Sequence, residues 1–383
     1  MNTPIAAELF PAGEILADEL DARGWTQADF AEVLGRPAQF VSEIISGKKE
    51  ITRESAAQIG AALGTSAEFW LNLQNSYLLW KQSQDDRTQD NLNAVKTRAQ
   101  LRELAPVPLL VKRGYITATD VQSQAYEVLN LFGKKSFEDP LGISFAARRS
   151  NHEENVTVLQ EAWAACVRAT ASALDAAPYS RKALEDLART LSSRARDPQA
   201  FAEFQTLFAE AGVRLVYVEA FPGGKLDGCA MMVDGHPVIG ISGRGNRLDK
   251  ILFTILHETA HILLGHLVDN GEVILDDLSD DSANNEAEAD QLASELAISS
   301  PLPAVPDRVH SSWIKEQASH LGVHPITLIG RLQKKGDLSW KTTLVRNAPT
   351  VIAQLESWKS PKLSKTTSSG TTPNASNNDS RAG

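Results

Sequence analysis

Cysteine is almost absent from this chain: Cys166 and Cys229 are its only two among 383 residues. They stand far apart and without Cys-x-x-Cys spacing, which excludes a disulfide framework and a cysteine-built metal site and predicts two ordinary buried thiols. Long apolar runs are missing too. No stretch reaches about eighteen apolar residues free of charge, which excludes a membrane span, and the opening "MNTPIAAELFPAGEI" lacks the basic start and apolar run of a secretory signal. The expected location is the cytoplasm, with no membrane partner. Nor is there a surplus of positive charge, since 38 Lys and Arg face 48 Asp and Glu for a net charge of −10. That balance excludes broad, sequence-independent wrapping of nucleic acid but leaves room for a small basic patch. A chain of this length, 42% hydrophobic and 22% charged, suits a globular protein of two or three domains.

Residues 11–80 read as five short helices, each closed by a turn signal: "PAGEILADELDARG", "TQADFAEVLG", "PAQFVSEIISG", "TRESAAQIGAALG" and "SAEFWLNLQNSYLLW". Thr26 is placed to cap the second, Pro37 to sit in the first turn of the third, and Thr52 with Ser55 to open the fourth; Gly24, Gly35, Gly47 and Gly64 end elements. The polar run after Trp80 suits a solvated helix or a linker. From about 100 to 200 the apolar spacing is helical. "VRLVYVEAF" and "CAMMVDGHPVIGIS" then predict a small sheet, the second run folded into a hairpin at "DGHP". Helices are predicted again over 250–265, 283–298 and 312–334. The final Ser-, Thr- and Asn-rich residues have little to bury and are expected to be disordered.

A helix, a tight turn at Gly35 and a second helix near Pro37 form the arrangement that lays the second helix in the DNA major groove. Gln27 would open the first of these helices beside a phosphate. Gln39, Ser42 and Glu43 face the groove, Phe40, Val41, Ile44 and Ile45 supply the packing side, and Arg36, Lys48 and Lys49 flank the helix where phosphates pass. Residues 1–82 carry six Lys or Arg against eleven Asp or Glu, which equally suits a bundle with a merely solvated polar face.

The stretch "LHETAH" contains His-Glu-x-x-His, a pattern of three fixed positions that chance supplies in roughly one chain per hundred of this composition. Its setting adds weight. "KILFTILHETAHILLGHL" is apolar nearly all round, the mark of a buried helix, where three ionisable side chains are costly unless something compensates them. On a helix His257 and His261 share one face, where a single Zn²⁺ can bind both, and Glu258 can take a proton from a metal-activated water and deliver it to the leaving amine. A third ligand is needed to leave one position open. "SANNEAEADQLASELAIS" offers Glu286, with Asp290 one turn on to accept the second ring N–H of a ligating His. Glu288 competes but points to the opposite side of that helix. His266 is open to three readings: a helix-end residue, a supporter of the ligands or a stabiliser of the oxyanion. His320 and His324 read as surface or packing residues, and the hairpin at Asp234 and Gly235 as an edge able to pair with an extended peptide.

Two resemblances extend these readings. Through "W-T-Q", "G-R-P-x-Q-x-V-S-E-I", "G-K-K" and "S-A-E-F-W-L-N-L-Q", roughly 65 residues resemble the helix-turn-helix of HigA-type antitoxins in the Xre or lambda-repressor-like group. That implies a homodimer reading a palindromic double-stranded operator, with Gln39 and Ser42 as base readers. "GVRLVYVEAF", "LHETAHILLGH" and "EAEADQLASEL" resemble the ImmA/IrrE metallopeptidase domain, a zincin, in which the matching positions His257, His261 and Glu286 hold zinc and Glu258 is catalytic. Where that family often has Leu-Leu-Met-Pro, this chain has "ELAISSPLP", a departure in the wall of the substrate pocket.

The expected protein is multidomain and mainly α with a small sheet. A lambda-repressor-like all-α helix-turn-helix bundle (1–82) leads through a linker or connecting helix (83–110) and a helical region (111–200) to an α+β zincin-like domain with a helical extension (201–358) and a disordered tail (359–383). Two functions fit: a transcriptional regulator whose zinc endopeptidase cuts a partner, repressor or toxin, or a HigA-like antitoxin and autorepressor whose zinc domain is structural or sensory.

Overall fold

A computed structural model describes residues 9–139, 144–146, 156–267, 272–276 and 284–358; the expected disordered tail lies outside them. The chain divides into two compact units, Met1–Arg98 and Ala99–Gly383. Among the described residues no helix is long and apolar enough to cross a membrane.

The first unit packs α1 (Ala12–Arg23), α2 (Gln27–Leu34), α3 (Ala38–Ile45), α4 (Arg53–Leu63) and α5 (Ala67–Ser83). Local chemistry fixes the ends. Thr26 and Asp29 form a capping box at α2, and Thr52 and Ser55 form another at α4, each satisfying two backbone N–H groups left over at a helix start. Gly35, at φ 64°, makes the sharp turn from α2 to α3, a backbone state that side chains with a Cβ resist. Pro37 precedes α3 instead of lying in its first turn: its ψ of 145° is extended, and the helix begins at Ala38. Leu16, Leu20, Phe30, Val41, Ile59 and Trp70 fill the core, each such burial contributing about 1.5–3 kcal/mol. Gly13 lets α1 cross the end of α3, since a Cβ there would stand 2.5 Å from the carbonyl oxygens of Ile44 and Ile45. The polar run after Trp80 ends α5 and then forms α6 (Asp86–Leu104), in which only Leu101 is buried.

The second unit continues with α7 (Val107–Lys112), α8 (Val121–Phe132), β1 (Ser144–Ala146), α9 (Val158–Ser172), α10 (Arg181–Arg194) and α11 (Phe201–Glu210). After them come β2 (Arg214–Tyr217), β3 (Gly228–Val233), β4 (His236–Ile241), α12 (Leu248–Leu264), β5 (Glu272–Asp276) and α13 (Asn284–Ala297). The unit closes with α14 (Ser311–His320), α15 (Pro325–Lys335) and α16 (Ile352–Glu356). The sheet has five strands in the order β1-β5-β3-β4-β2, with β3 antiparallel to both neighbours. Two of these, β1 and β5, are absent from the sequence-based expectation: both are short and lack an alternating pattern.

Both faces of the sheet are covered. Leu215, Ile239 and Ile241 pack toward α12, while Val216, Cys229, Met231 and Val238 pack toward α9, which is why the strands read as nearly continuous apolar runs. Trp163 on α9 donates to the Val218 carbonyl at 2.8 Å from a fully buried position. Asp234 and Gly235, both at positive φ, form the tight β3–β4 turn, as two-residue hairpins require. The expected edge for a peptide at this hairpin is overturned: β3 and β4 both lie inside the sheet, and the edges are β1 and β2. The single helix expected over 312–334 is two, because Pro325 opens α15 and His324 caps it, Nδ1 accepting from the Ile326 N–H at 3.1 Å. Cys166 and Cys229 are buried free thiols, pushed up in pKa by that burial.

Candidate metal centre

Helix α12 is buried along nearly its whole length, from Leu248 against the sheet to Leu263, and ends at left-handed Gly265. Spacing of four puts His257 and His261 on one face of it, and α13 runs alongside, carrying Glu286 and Asp290 one turn apart. These two helices bring His257, His261 and Glu286 together with their ligand atoms all within 4.8 Å of one another, every one of them buried.

The geometry is compatible with one small cation. His257 Nε2 lies 3.0 Å from His261 Nε2 and 3.2 Å from Glu286 Oε2, and His261 Nε2 lies 3.5 Å from the same oxygen. Tetrahedral bonds of about 2.0–2.1 Å, usual for zinc with these donors, would set their ligand atoms about 3.3 Å apart. Two neutral imidazoles and one carboxylate also give the donor set a single negative charge suited to a divalent ion. Burial lowers the pKa of His261, outweighing the opposing Glu286 contact, so its ring is neutral at neutral pH. For Glu286 burial acts upward, yet hydrogen bonds with His257 and His261 together outweigh it and hold the carboxyl at about 2.

Neighbouring groups set the tautomers. His257 Nδ1 stands 3.0 Å from Asp290 Oδ1; donating there, it leaves the lone pair on Nε2, facing the other two ligands. Lys334 on α15 donates to the other Asp290 oxygen at 2.7 Å. Burial pushes the Asp290 pKa up, but its contacts with His257 and Lys334 bring it down to about 2. His266, left open by the sequence, places its Nδ1 3.0 Å from His261 Nδ1, with its Nε2 3.6 Å from Glu288. Glu288 thus meets His266, its side chain 60% exposed, and stands outside the ligand cluster.

Glu258 is fully buried, beside Thr254 and the start of β3. Gly228 makes that position available: a Cβ there would stand 2.5 Å from Glu258 Oε1 and 2.7 Å from Thr254 Cγ2. Sequence reasoning misses Gly228, although an isolated glycine opening a strand is the usual sign of something approaching closely. Lys334 carries no such sign, since only the packing of α15 brings it to Asp290.

In the first unit, α3 exposes Gln39 and Ser42 while Val41 and Ile44 are buried and Phe40 and Ile45 half-buried. Gln39 Nε2 donates to Glu43 Oε1 at 2.8 Å, which orients the amide. Gln27, Lys48 and Lys49 are exposed, and Arg36 is half-buried, paired with Glu54 and bonded to Gln58. Arg36 and Lys49 both lie over the Phe40 ring, at 5.4 and 4.9 Å.

Residues 16–70 match the family model described as helix-turn-helix, and residues 210–332 match that of the IrrE N-terminal-like domain. An uncharacterized HTH-type transcriptional regulator of Haemophilus influenzae is 35% identical over 85 residues, 22% of this chain and 79% of that protein. YbaQ of Escherichia coli K12, named in the same way, is 30% identical over 90 residues, 24% of this chain and 80% of its own. Antitoxin HigA-1 of Vibrio cholerae is 41% identical over 69 residues, covering 18% of this chain and 65% of the antitoxin.

Proposed function

Because the chain belongs to the helix-turn-helix transcriptional regulators and carries an IrrE N-terminal-like domain beside that module, we propose that it is an operator-binding regulator with a zinc endopeptidase. Its substrate is a partner protein, a repressor or a toxin. The observation that carries this reading is the convergence of His257, His261 and Glu286 with His257 turned by Asp290.

His257, His261 and Glu286 would hold zinc, which when bound supplies Lewis acidity to acidify water and polarise a peptide carbonyl. Asp290 keeps the proton of His257 on Nδ1, and Lys334 holds Asp290 in place. The Glu258 carboxylate takes the proton of the attacking water and returns it to the leaving amine, so that the water oxygen joins the carbonyl carbon as the C–N bond breaks. Burial around α12 keeps bulk water from competing. On α3 of a homodimer, Gln39 and Ser42 read base edges while Gln27, Arg36, Lys48 and Lys49 meet phosphates.

The test is cleavage of proteins encoded beside this one by the zinc-loaded chain, with Glu258→Gln as control. Cleavage by the parent alone supports the reading; a metal-loaded parent inert toward every such partner, with unchanged regulation after Glu258→Gln, removes the peptidase. The likeness to antitoxin HigA-1 favours a second reading, an autorepressor whose zinc domain is structural or sensory. It requires operator binding that is indifferent to Glu258→Gln and loses its preference for the operator in Gln39→Ala.

A further inference from the structure

One turn before His257 and Glu258, on the same face of α12, Phe253 and Thr254 line a cavity of about 430 Å³. Two of its lining residues reach the candidate metal centre or its support. The Phe253 ring lies 6.2 Å from that of His257, and Lys334, another lining residue, bonds Asp290. Its volume falls within the range of ligand sites, about 300–1,000 Å³, and Leu252, Phe253, Ala297 and Trp340 give it apolar walls.

The charges around it are unequal. Arg244, Lys250, Arg331 and Lys334 line the cavity together with the acids Asp227 and Asp249. Both acids already have cations: Asp249 pairs with Arg247, outside the lining, and Asp227 stands 3.5 Å from Arg244. Lys334 is engaged with Asp290. Among the described residues, however, no carboxylate lies within ion-pair distance of Lys250 or Arg331, and Arg331 Nε is buried without a hydrogen-bond partner. A guanidinium held partly out of water is costly unless anions compensate it; burial lowers the pKa of Arg331, and the more distant charges of Asp290 and Glu295 only partly oppose that.

We infer that this cavity binds an acidic side chain of a peptide lying across the metal centre, Lys250 and Arg331 holding the carboxylate while the apolar walls take its methylenes. The inference rests on the peptidase reading and narrows it, assigning the substrate an Asp or Glu close to the bond that is cut. Arg331 is the stronger anchor, since its planar fork can meet both carboxylate oxygens.

The test uses saturation-transfer NMR on the full chain carrying Glu258→Gln, with N-acetylglutamate amide, N-acetylglutamine amide and glutarate as probes. The glutamate probe is expected to bind about tenfold more tightly than its neutral isostere. That preference is expected to disappear in Arg331→Gln and in Lys250→Gln, the latter an exposed position that keeps the test intact if the former does not fold. Equal binding of the two amides, or a preference that survives both substitutions, overturns the inference. So does glutarate binding more tightly than the glutamate probe, which would mark a site for a free dicarboxylic acid. Acid-selective binding by a zinc-loaded parent chain that cuts no protein upholds the cavity's preference and removes the peptidase reading instead.

Discussion

His257 owes its readiness as a ligand to Asp290, which receives its Nδ1–H at 3.0 Å while Lys334 holds the other oxygen at 2.7 Å. Asp290→Asn keeps the shape of the site but weakens that hold, and zinc affinity is expected to fall about 10–100-fold in competition with a chelating indicator. An unchanged affinity would show that the tautomer is fixed elsewhere. Glu258→Gln is expected to retain the ion while slowing hydrolysis by about 10²–10⁴-fold. Much at this scale is legible in the sequence, because spacing of three and four on a helix determines which side chains share a face. The support given by Lys334 and Gly228 is not, since each reaches the centre only through the packing of elements distant in the chain, and for His266 the sequence leaves three roles open because the turn after Gly265 decides where its ring falls.

The position of Glu258 depends on β3 passing close to α12 at Gly228. Gly228→Ala would push a methyl into Glu258 and Thr254, an overpacking that costs about 1–3 kcal/mol. The expected outcome is a chain that still binds zinc, through ligands Gly228 does not touch, but turns over more slowly and melts at a lower temperature; normal turnover would mean that Glu258 tolerates displacement. At α2, the Thr26 hydroxyl first and its backbone N–H second hold the Asp29 carboxyl below its ordinary pKa. A group whose pKa is depressed on folding stabilises the folded state above its unfolded pKa and loses that effect as pH falls through the folded one. The deficit of Asp29→Ala in thermal melts is therefore expected to be full at pH 7 and to shrink below about pH 4. Caps of this kind are readable, Thr and Asp three apart being a local signal. The strands β1 and β5 are not, because their pairing is decided by each other and by β3, and three to five residues carry too little pattern to announce it.

An overall charge of −10 makes the whole chain a poor general ligand for DNA, so operator affinity has to come from a few side chains on α3 and its flanks. Lys48→Gln and Lys49→Gln are each expected to weaken binding to all sequences alike and to flatten the slope of log K against log salt by about one for each phosphate no longer neutralised. Gln39→Ala should instead relax sequence preference, at about 1–3 kcal/mol; footprinting over a range of salt separates the two. For the other unit the proposed peptidase turns on whether His257, His261 and Glu286 hold one ion between α12 and α13. The most direct measurement is elemental analysis of the purified, zinc-supplemented full chain beside His257→Ala and Glu286→Ala, each checked for folding. About one zinc per parent chain, absent from both variants, is the expected result for a three-ligand site; a folded parent without zinc, or a Glu286→Ala chain that keeps it with equal affinity, would contradict the metal centre.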